Sequence, residues 1–170
     1  KSGIWFCDLR RPDNIRRPLN TWYKPEGFID ALNQDIDKAH QLLAQEDFTY
    51  NLLLRDYQIK AIKAIEAHLA EGARELLLAM ATGTGKTKTC IALVYRLLKT
   101  KRFRRVLFLV DRKALGEQAT NVFKETRMEN LQTFADIFGI KELGDSIPDR
   151  DTKVQIDTVQ AFVKRILYPS

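Results

Sequence analysis

The feature that most constrains the fold is an abrupt change of hydrophobic period along residues 75–99. Glu75-Leu76-Leu77-Leu78-Ala79-Met80 is a short apolar run, the pattern of a central parallel strand buried on both faces. It leads directly into Ala81-Thr82-Gly83-Thr84-Gly85-Lys86-Thr87. From Lys86 to about Lys99 the apolar residues Cys90, Ile91, Leu93, Val94, Leu97 and Leu98 then recur almost all round a helix, which predicts that the helix is buried. A strand, a glycine turn and a buried helix in immediate succession are the opening of a crossover between parallel strands, and few folds accommodate them.

The flanking segments repeat the alternation. Arg105–Val110 reads as a second buried strand, followed by a polar turn at Asp111 and a helix through about Thr126. A helical stretch near Leu131–Phe138, a polar loop containing Gly144 and Pro148, a third strand over Lys153–Asp157 and a helix over Val159–Leu167 complete the pattern. Upstream, Asp56–Glu71 reads as a helix with Ala61, Ile62, Ile65 and Leu69 on its apolar face, and Gly72 stands where a left-handed C-terminal cap would fall. Pro25 could open a helix to about Glu46, with Phe28, Ile29, Leu32, Ile36, Ala39 and Leu43 at helical spacing. Residues 1–24 mix Pro12, Pro18, arginines and the aromatics Trp5, Phe6, Trp22 and Tyr23, as an extended connector would. The expectation is an α/β fold with a parallel sheet over residues 51–170, preceded by a mostly helical and extended connector over residues 1–50.

Composition narrows the class. With 170 residues and 45% hydrophobic content the chain can bury one core, and no apolar run approaches the roughly 18 residues that would cross a membrane. Cys7 and Cys90 lie far apart with no paired spacing, so neither a disulfide framework nor a zinc site is indicated, and a reducing cytoplasm is the expected location. His40 and His68 fall in helical sequence without a nearby ligand set and read as packing or surface residues. The net charge of +6 is local, with Arg10, Arg11, Arg16 and Arg17 in one cluster and Lys99, Lys101, Arg102, Arg104 and Arg105 in another. Such clusters suit phosphate neutralisation on nucleic acid, and equally a solvated loop.

The glycine turn carries the chemistry. In a P-loop, backbone N–H groups of a glycine-rich turn point inward and the following helix starts there, so its positive end faces bound phosphates. Gly83 and Gly85 supply the backbone freedom, with Thr82 and Thr84 completing the cradle. Lys86 would reach the β- and γ-phosphates of ATP as the catalytic positive charge, and the Thr87 hydroxyl would coordinate Mg²⁺. The strict pattern has glycine where this chain has Met80. Hydrolysis also needs an acidic residue at the end of another strand, commonly followed by glutamate. Asp111 is the candidate by position, but Arg112 follows it and the sequence contains no Asp-Glu dipeptide, so the hydrolytic half of the site is expected outside these residues. A P-loop kinase or nucleotide switch that uses Asp111 remains the alternative from the residues alone.

Four segments together resemble superfamily 2 helicases and translocases, and most closely the R (restriction) subunit of type I restriction enzymes. Leu54-Arg55-Asp56-Tyr57-Gln58 is similar to the family's LRxYQ segment, in which the glutamine reads the adenine edge, so the resemblance places Arg55 and Gln58 at the nucleotide. Met80-Ala81-Thr82-Gly83-Thr84-Gly85-Lys86-Thr87 resembles motif I in a form that commonly begins with Met. Leu107–Arg112 resembles motif Ia, and Asp157-Thr158-Val159-Gln160 a later segment on the nucleic-acid side, which makes Arg112, Thr158 and Gln160 DNA-contact candidates. Read from the residues, the last segment is equally a helix start capped by Asp157 or Thr158.

The resemblance implies a portion of the first RecA-like domain of an ATP-dependent motor on double-stranded DNA, within a type I site-specific deoxyribonuclease. Modification and specificity subunits would be its partners. Motif II and the nuclease site are expected beyond these residues, and residues 1–50 would be the connector from an upstream nuclease domain. Another superfamily 2 DNA helicase is the alternative within the class.

Overall fold

The computed structural model describes residues 4–7, 17–19, 25, 29, 35–129, 132–141 and 152–167. They fall into two compact units, residues 1–35 and 36–170. In the first, strands β1 (Ile4–Phe6) and β2 (Arg17–Leu19) pair antiparallel with Trp5 opposite Pro18. The remaining residues of the expected connector before position 35 lie mostly outside the described set.

In the second unit, helix α1 covers Ile36–Gln45 and buries Ala39 and Leu43, one turn apart on a single face. The expected single helix from Pro25 to Glu46 does not form. Pro25 and Ile29 are helical, but Asp35 is not, and α1 starts after it. Aspartate competes for nearby backbone N–H groups and favours helix ends over interiors.

Helix α2 (Asp56–Ala70) opens with a reciprocal arrangement. The Arg55 N–H donates to Gln58 Oε1 at 2.8 Å, and the Gln58 N–H donates to the Arg55 carbonyl at 2.9 Å. It ends where expected, with Gly72 in the left-handed region at φ +92°.

Helix α3 (Lys86–Lys99) is the packing axis. Ile91, Ala92, Val94, Tyr95, Leu97 and Leu98 are all buried, as its all-round apolar pattern predicts. Strand β3 (Val106–Val110) and helix α4 (Lys113–Glu125) follow. The helical stretch expected near 131–138 contracts to the single turn α5 (Phe134–Ile137), whose N-terminus is capped by the Thr133 hydroxyl. The next residues form a short strand β4 (Gly139–Lys141) that the hydrophobic pattern does not predict. Strand β5 (Thr152–Thr158) and helix α6 (Val159–Leu167) form where the pattern places them, and the loop around Gly144 and Pro148 lies outside the described residues.

The sheet has the order β3-β5-β4, with both pairings parallel. Val154 and Ile156, two residues apart on one face of the central strand β5, are fully buried against α3, Phe123 of α4 and Phe134 of α5. Tyr95, Phe134 and Phe123 continue this core as edge-to-face ring pairs with centroids 6.1 and 5.0 Å apart. The result is α/β with a parallel sheet.

Two strand expectations need correction. Arg105–Val110 is not buried on both faces: Leu107 and Leu109 are exposed while Val106 and Phe108 pack on the core, so β3 alternates. Glu75–Met80 is not a strand, and Leu77 is 96% exposed. An apolar run marks a segment that gains by burial, but a strand also needs a ladder partner, and among the described residues none pairs with this run. No helix among the described residues is long and apolar enough to cross a membrane.

Candidate functional site

The loop before α3 is built by its two glycines. Gly83 and Gly85 both sit in the left-handed region, at φ +76° and +79°, where a side chain would strain the backbone. Thr84 Oγ1 donates to the Ala81 carbonyl at 2.6 Å and closes the turn. Lys86 folds its ammonium back onto the same carbonyl at 3.4 Å. Thr82, Gly83, Lys86 and Thr87 are exposed.

Because α3 starts at Lys86, its first amides have no intrahelical acceptors and face outward from the helix end. An open helix N-terminus, two left-handed glycines and an exposed ammonium within reach fit a polyphosphate group. Among the described residues no cluster of three or more His, Cys, Asp or Glu could hold a metal.

The start of α2 is packed against this loop. Gln58 is 2% exposed, and its amide nitrogen donates to the carbonyls of Thr84 and Gly85, each at 3.2 Å. Its amide oxygen is taken by the Arg55 N–H, so both ends of the side chain have partners within the chain. The Tyr57 hydroxyl donates to the Thr84 carbonyl at 2.8 Å. A Cβ added at Gly85 would lie 2.6 Å from Gln58 Nε2, so any side chain there would displace the Gln58 amide and strain a left-handed backbone as well. The Arg55 residue is exposed at the first turn of α2.

The opposite end of α3 is closed. Arg96 is 1% exposed and its guanidinium donates to both carboxylate oxygens of Glu66, at 2.6 and 3.0 Å. It also donates to the carbonyls of Leu43 (2.8 Å), Glu46 (2.8 Å) and Asp47 (3.1 Å), and lies over the Phe48 ring. Burial alone would lower its pKa, but Glu66 and Tyr50 outweigh that and hold the group above its ordinary value. Next to it, Lys99 donates to Glu46 and Glu129, each at 2.6 Å.

The remaining candidates stand on one edge of the sheet. In the β3–β5 register Val110 is opposite Thr158, so the segments leaving both strands emerge side by side at their carboxyl ends. Asp111 and Arg112 are strongly exposed and approach each other at 3.7 Å. The Thr158 hydroxyl accepts the Ala161 N–H at 3.1 Å as the cap of α6, and the Thr158 N–H donates to the buried Asp157 at 3.0 Å. Gln160 is exposed.

The structure thus sets Gln58 against Thr84 and Gly85 with Arg55 at the start of the same helix, and places Arg112 and Gln160 each two residues beyond the paired Val110 and Thr158. Sequence reasoning passes over Tyr57, Thr89 and Arg96. Thr89 donates to the Gly85 carbonyl from both its N–H (3.0 Å) and its hydroxyl (3.1 Å). Tyr57 has a local signal, since it precedes Gln58 in the same segment. Arg96 has none, because its partners lie 30 to 53 positions away.

Residues 51–168 match the family described as "Type III restriction enzyme, res subunit", a RecA-like P-loop fold. Residues 1–32 match the second domain of the type I restriction enzyme EcoKI endonuclease subunit. The chain is 47% identical over 167 residues to the EcoKI endonuclease subunit of Escherichia coli K12, covering 98% of this chain and 14% of that protein. It is 50% identical over 68 residues to the type I EcoAI endonuclease subunit of Escherichia coli, covering 39% of this chain and 8% of that protein. It therefore spans a small part of the length of both relatives. No solved structure matches at a significant level. The chain that frames this glycine loop belongs to the restriction-enzyme res-subunit family and, over nearly its whole length, is a relative of type I restriction endonuclease subunits.

Proposed function

We propose that this chain is the ATP-binding segment of an ATP-dependent double-stranded DNA translocase, the motor of a type I restriction endonuclease subunit. The observation that carries the reading is the loop Thr82–Thr87, with left-handed Gly83 and Gly85 at the open N-terminus of a deeply packed helix. Lys86 would pair with the β- and γ-phosphates, and Thr87 would contribute a hydroxyl to a Mg²⁺ ion arriving with the nucleotide. The metal supplies neutralisation of phosphate charge. The chain's own residues bind and orient the polyphosphate. Arg55 and Gln58 are assigned by resemblance to the adenine side.

Residues 51–170 would be part of the first RecA-like motor domain and residues 1–50 the connector to a nuclease domain. Double-stranded DNA would run along the carboxyl ends of β3 and β5, where Val110 pairs with Thr158 and exposed Arg112 and Gln160 follow two residues on. The modification and specificity subunits of a cytoplasmic restriction complex are the expected partners.

The test uses the full-length protein, measuring ATP-analogue binding and ATPase activity with and without duplex DNA. Lys86→Ala should remove most binding, and unchanged binding would refute the nucleotide reading. Duplex DNA should stimulate turnover, and Arg112→Glu should weaken duplex binding. Turnover indifferent to DNA but abolished by Asp111→Asn would instead establish a P-loop kinase or switch.

A further inference from the structure

The phosphate cradle depends on how its peptide groups are turned, and the start of α2 holds two of them. In a trans peptide the C=O and the following N–H point in opposite directions. The Thr84 carbonyl receives the Tyr57 hydroxyl at 2.8 Å and Gln58 Nε2 at 3.2 Å, so the Gly85 N–H is directed away from α2. The Gly85 carbonyl receives Gln58 Nε2 at 3.2 Å and both donors of Thr89, which directs the Lys86 N–H the same way, out of the helix end.

We propose that Tyr57 is a positioning residue for the phosphate cradle, acting with Gln58 to lock the Thr84 and Gly85 peptides so that their amides are set for an anion before one arrives. The proposal rests on the P-loop reading above and deepens it.

Two properties make such a lock useful here. A loop with two left-handed glycines has unusual backbone freedom, and ordering it on binding weakens affinity. Both contacts also come from a rigid element, because α2 is anchored by fully buried Ile62 in the core and by Glu66 on Arg96. Tyr57 itself is 41% exposed, and removing its hydroxyl leaves the Thr84 carbonyl still paired with Gln58 Nε2. Gln58 acts in this arrangement on the loop backbone, and its amide is occupied before a base is present.

The test is calorimetric titration of the full-length protein with ATP and, separately, with inorganic tripolyphosphate, which carries no base. Tyr57→Phe should weaken both ligands by the same factor, roughly 3- to 10-fold for one hydrogen bond, with an unchanged melting temperature. Gln58→Glu, which keeps the shape but loses the donor, should weaken both as well. Lys86→Ala serves as the reference. If it leaves tripolyphosphate binding intact, the P-loop reading itself fails.

If Lys86→Ala removes tripolyphosphate binding while Tyr57→Phe and Gln58→Glu leave it unchanged, the lock is refuted and the P-loop stands. Loss of ATP binding alone in these two variants would assign the pair to the base and also refute the lock. Equal weakening together with a lower melting temperature would reduce Tyr57 to a structural contact, and the lock would again be refuted.

Discussion

The two ends of α3 make opposite use of polar groups. At its carboxyl end Arg96 is buried and every direction of its guanidinium is taken, by Glu66, by three backbone carbonyls and by the Tyr50 hydroxyl. At its amino end Lys86 and Thr87 are exposed, and the ammonium rests on one carbonyl at 3.4 Å. A buried charge is tolerable only when saturated, whereas a binding group must be able to exchange partners. The helix is thus fixed where it meets α1 and α2, and chemically open where it meets solvent.

That contrast can be broken from either side. The largest effect expected is on stability from Arg96→Met, which leaves the Glu66 carboxylate, only 10% exposed, without its partner. A loss of about 3–5 kcal/mol is expected by denaturant unfolding, and a loss below about 1 kcal/mol would mean the closed end is not the anchor. Next is Lys86→Ala, with binding of an ATP analogue weaker by roughly 1.5–3 kcal/mol and the unfolding midpoint unmoved. A shifted midpoint would show that the open end is also structural.

Gly85→Ala touches folding and binding together, since a side chain there meets Gln58 and a left-handed backbone. A stability loss of about 1–2 kcal/mol is expected from the strain alone, accompanied by weaker nucleotide binding. Full binding in that variant would mean the loop adopts another conformation when loaded. Glu129→Gln removes one of the two carboxylates on half-exposed Lys99 and should cost at most about 1 kcal/mol, fading at high salt.

The smallest effect is a pH dependence at the closed end. The Arg102 Nε donates to His40 Nε2 at 2.7 Å, and burial together with the Arg102 charge lowers the imidazole below its ordinary 6.5, partly opposed by Asp37. The folded state therefore prefers neutral His40. This contribution is present above pH 6.5 and is lost as the pH falls through that value toward the lower folded one. A His40→Gln variant should show a flatter stability profile across that window, and an identical profile would mean that His40 does not contribute.

What can be read from the sequence follows from how local each cause is. Gly83, Gly85 and Gly72 act through their own backbone, and all three adopt the left-handed conformation their turns require. The limits of α2, α3 and α6 fall within about a residue of their periodic patterns, because an amphipathic face is a local property. Glu75–Met80 shows where this ends, since its composition favours a strand but pairing depends on a neighbour elsewhere in the chain. The three-residue β4 is illegible for the same reason: it exists by virtue of β5.

At the site, the residue set around the loop is readable, but the orientation of Gln58 is not. Its amide meets the loop from across 26 and 27 positions, and spacing alone cannot tell a side chain that faces a ligand from one that braces the loop.

The Arg96 contacts also have a mechanical consequence. The chain enters this unit through α1, and the carbonyls of Leu43, Glu46 and Asp47 hang on a guanidinium that belongs to α3. A pull on the chain from the side of Asp35 would load that guanidinium, and with it the far end of the helix that carries Lys86, before it reached any rung of the sheet. In a force-extension measurement the first rupture would then be the release of α1 and residues 46–50, with β3 and β5 still paired.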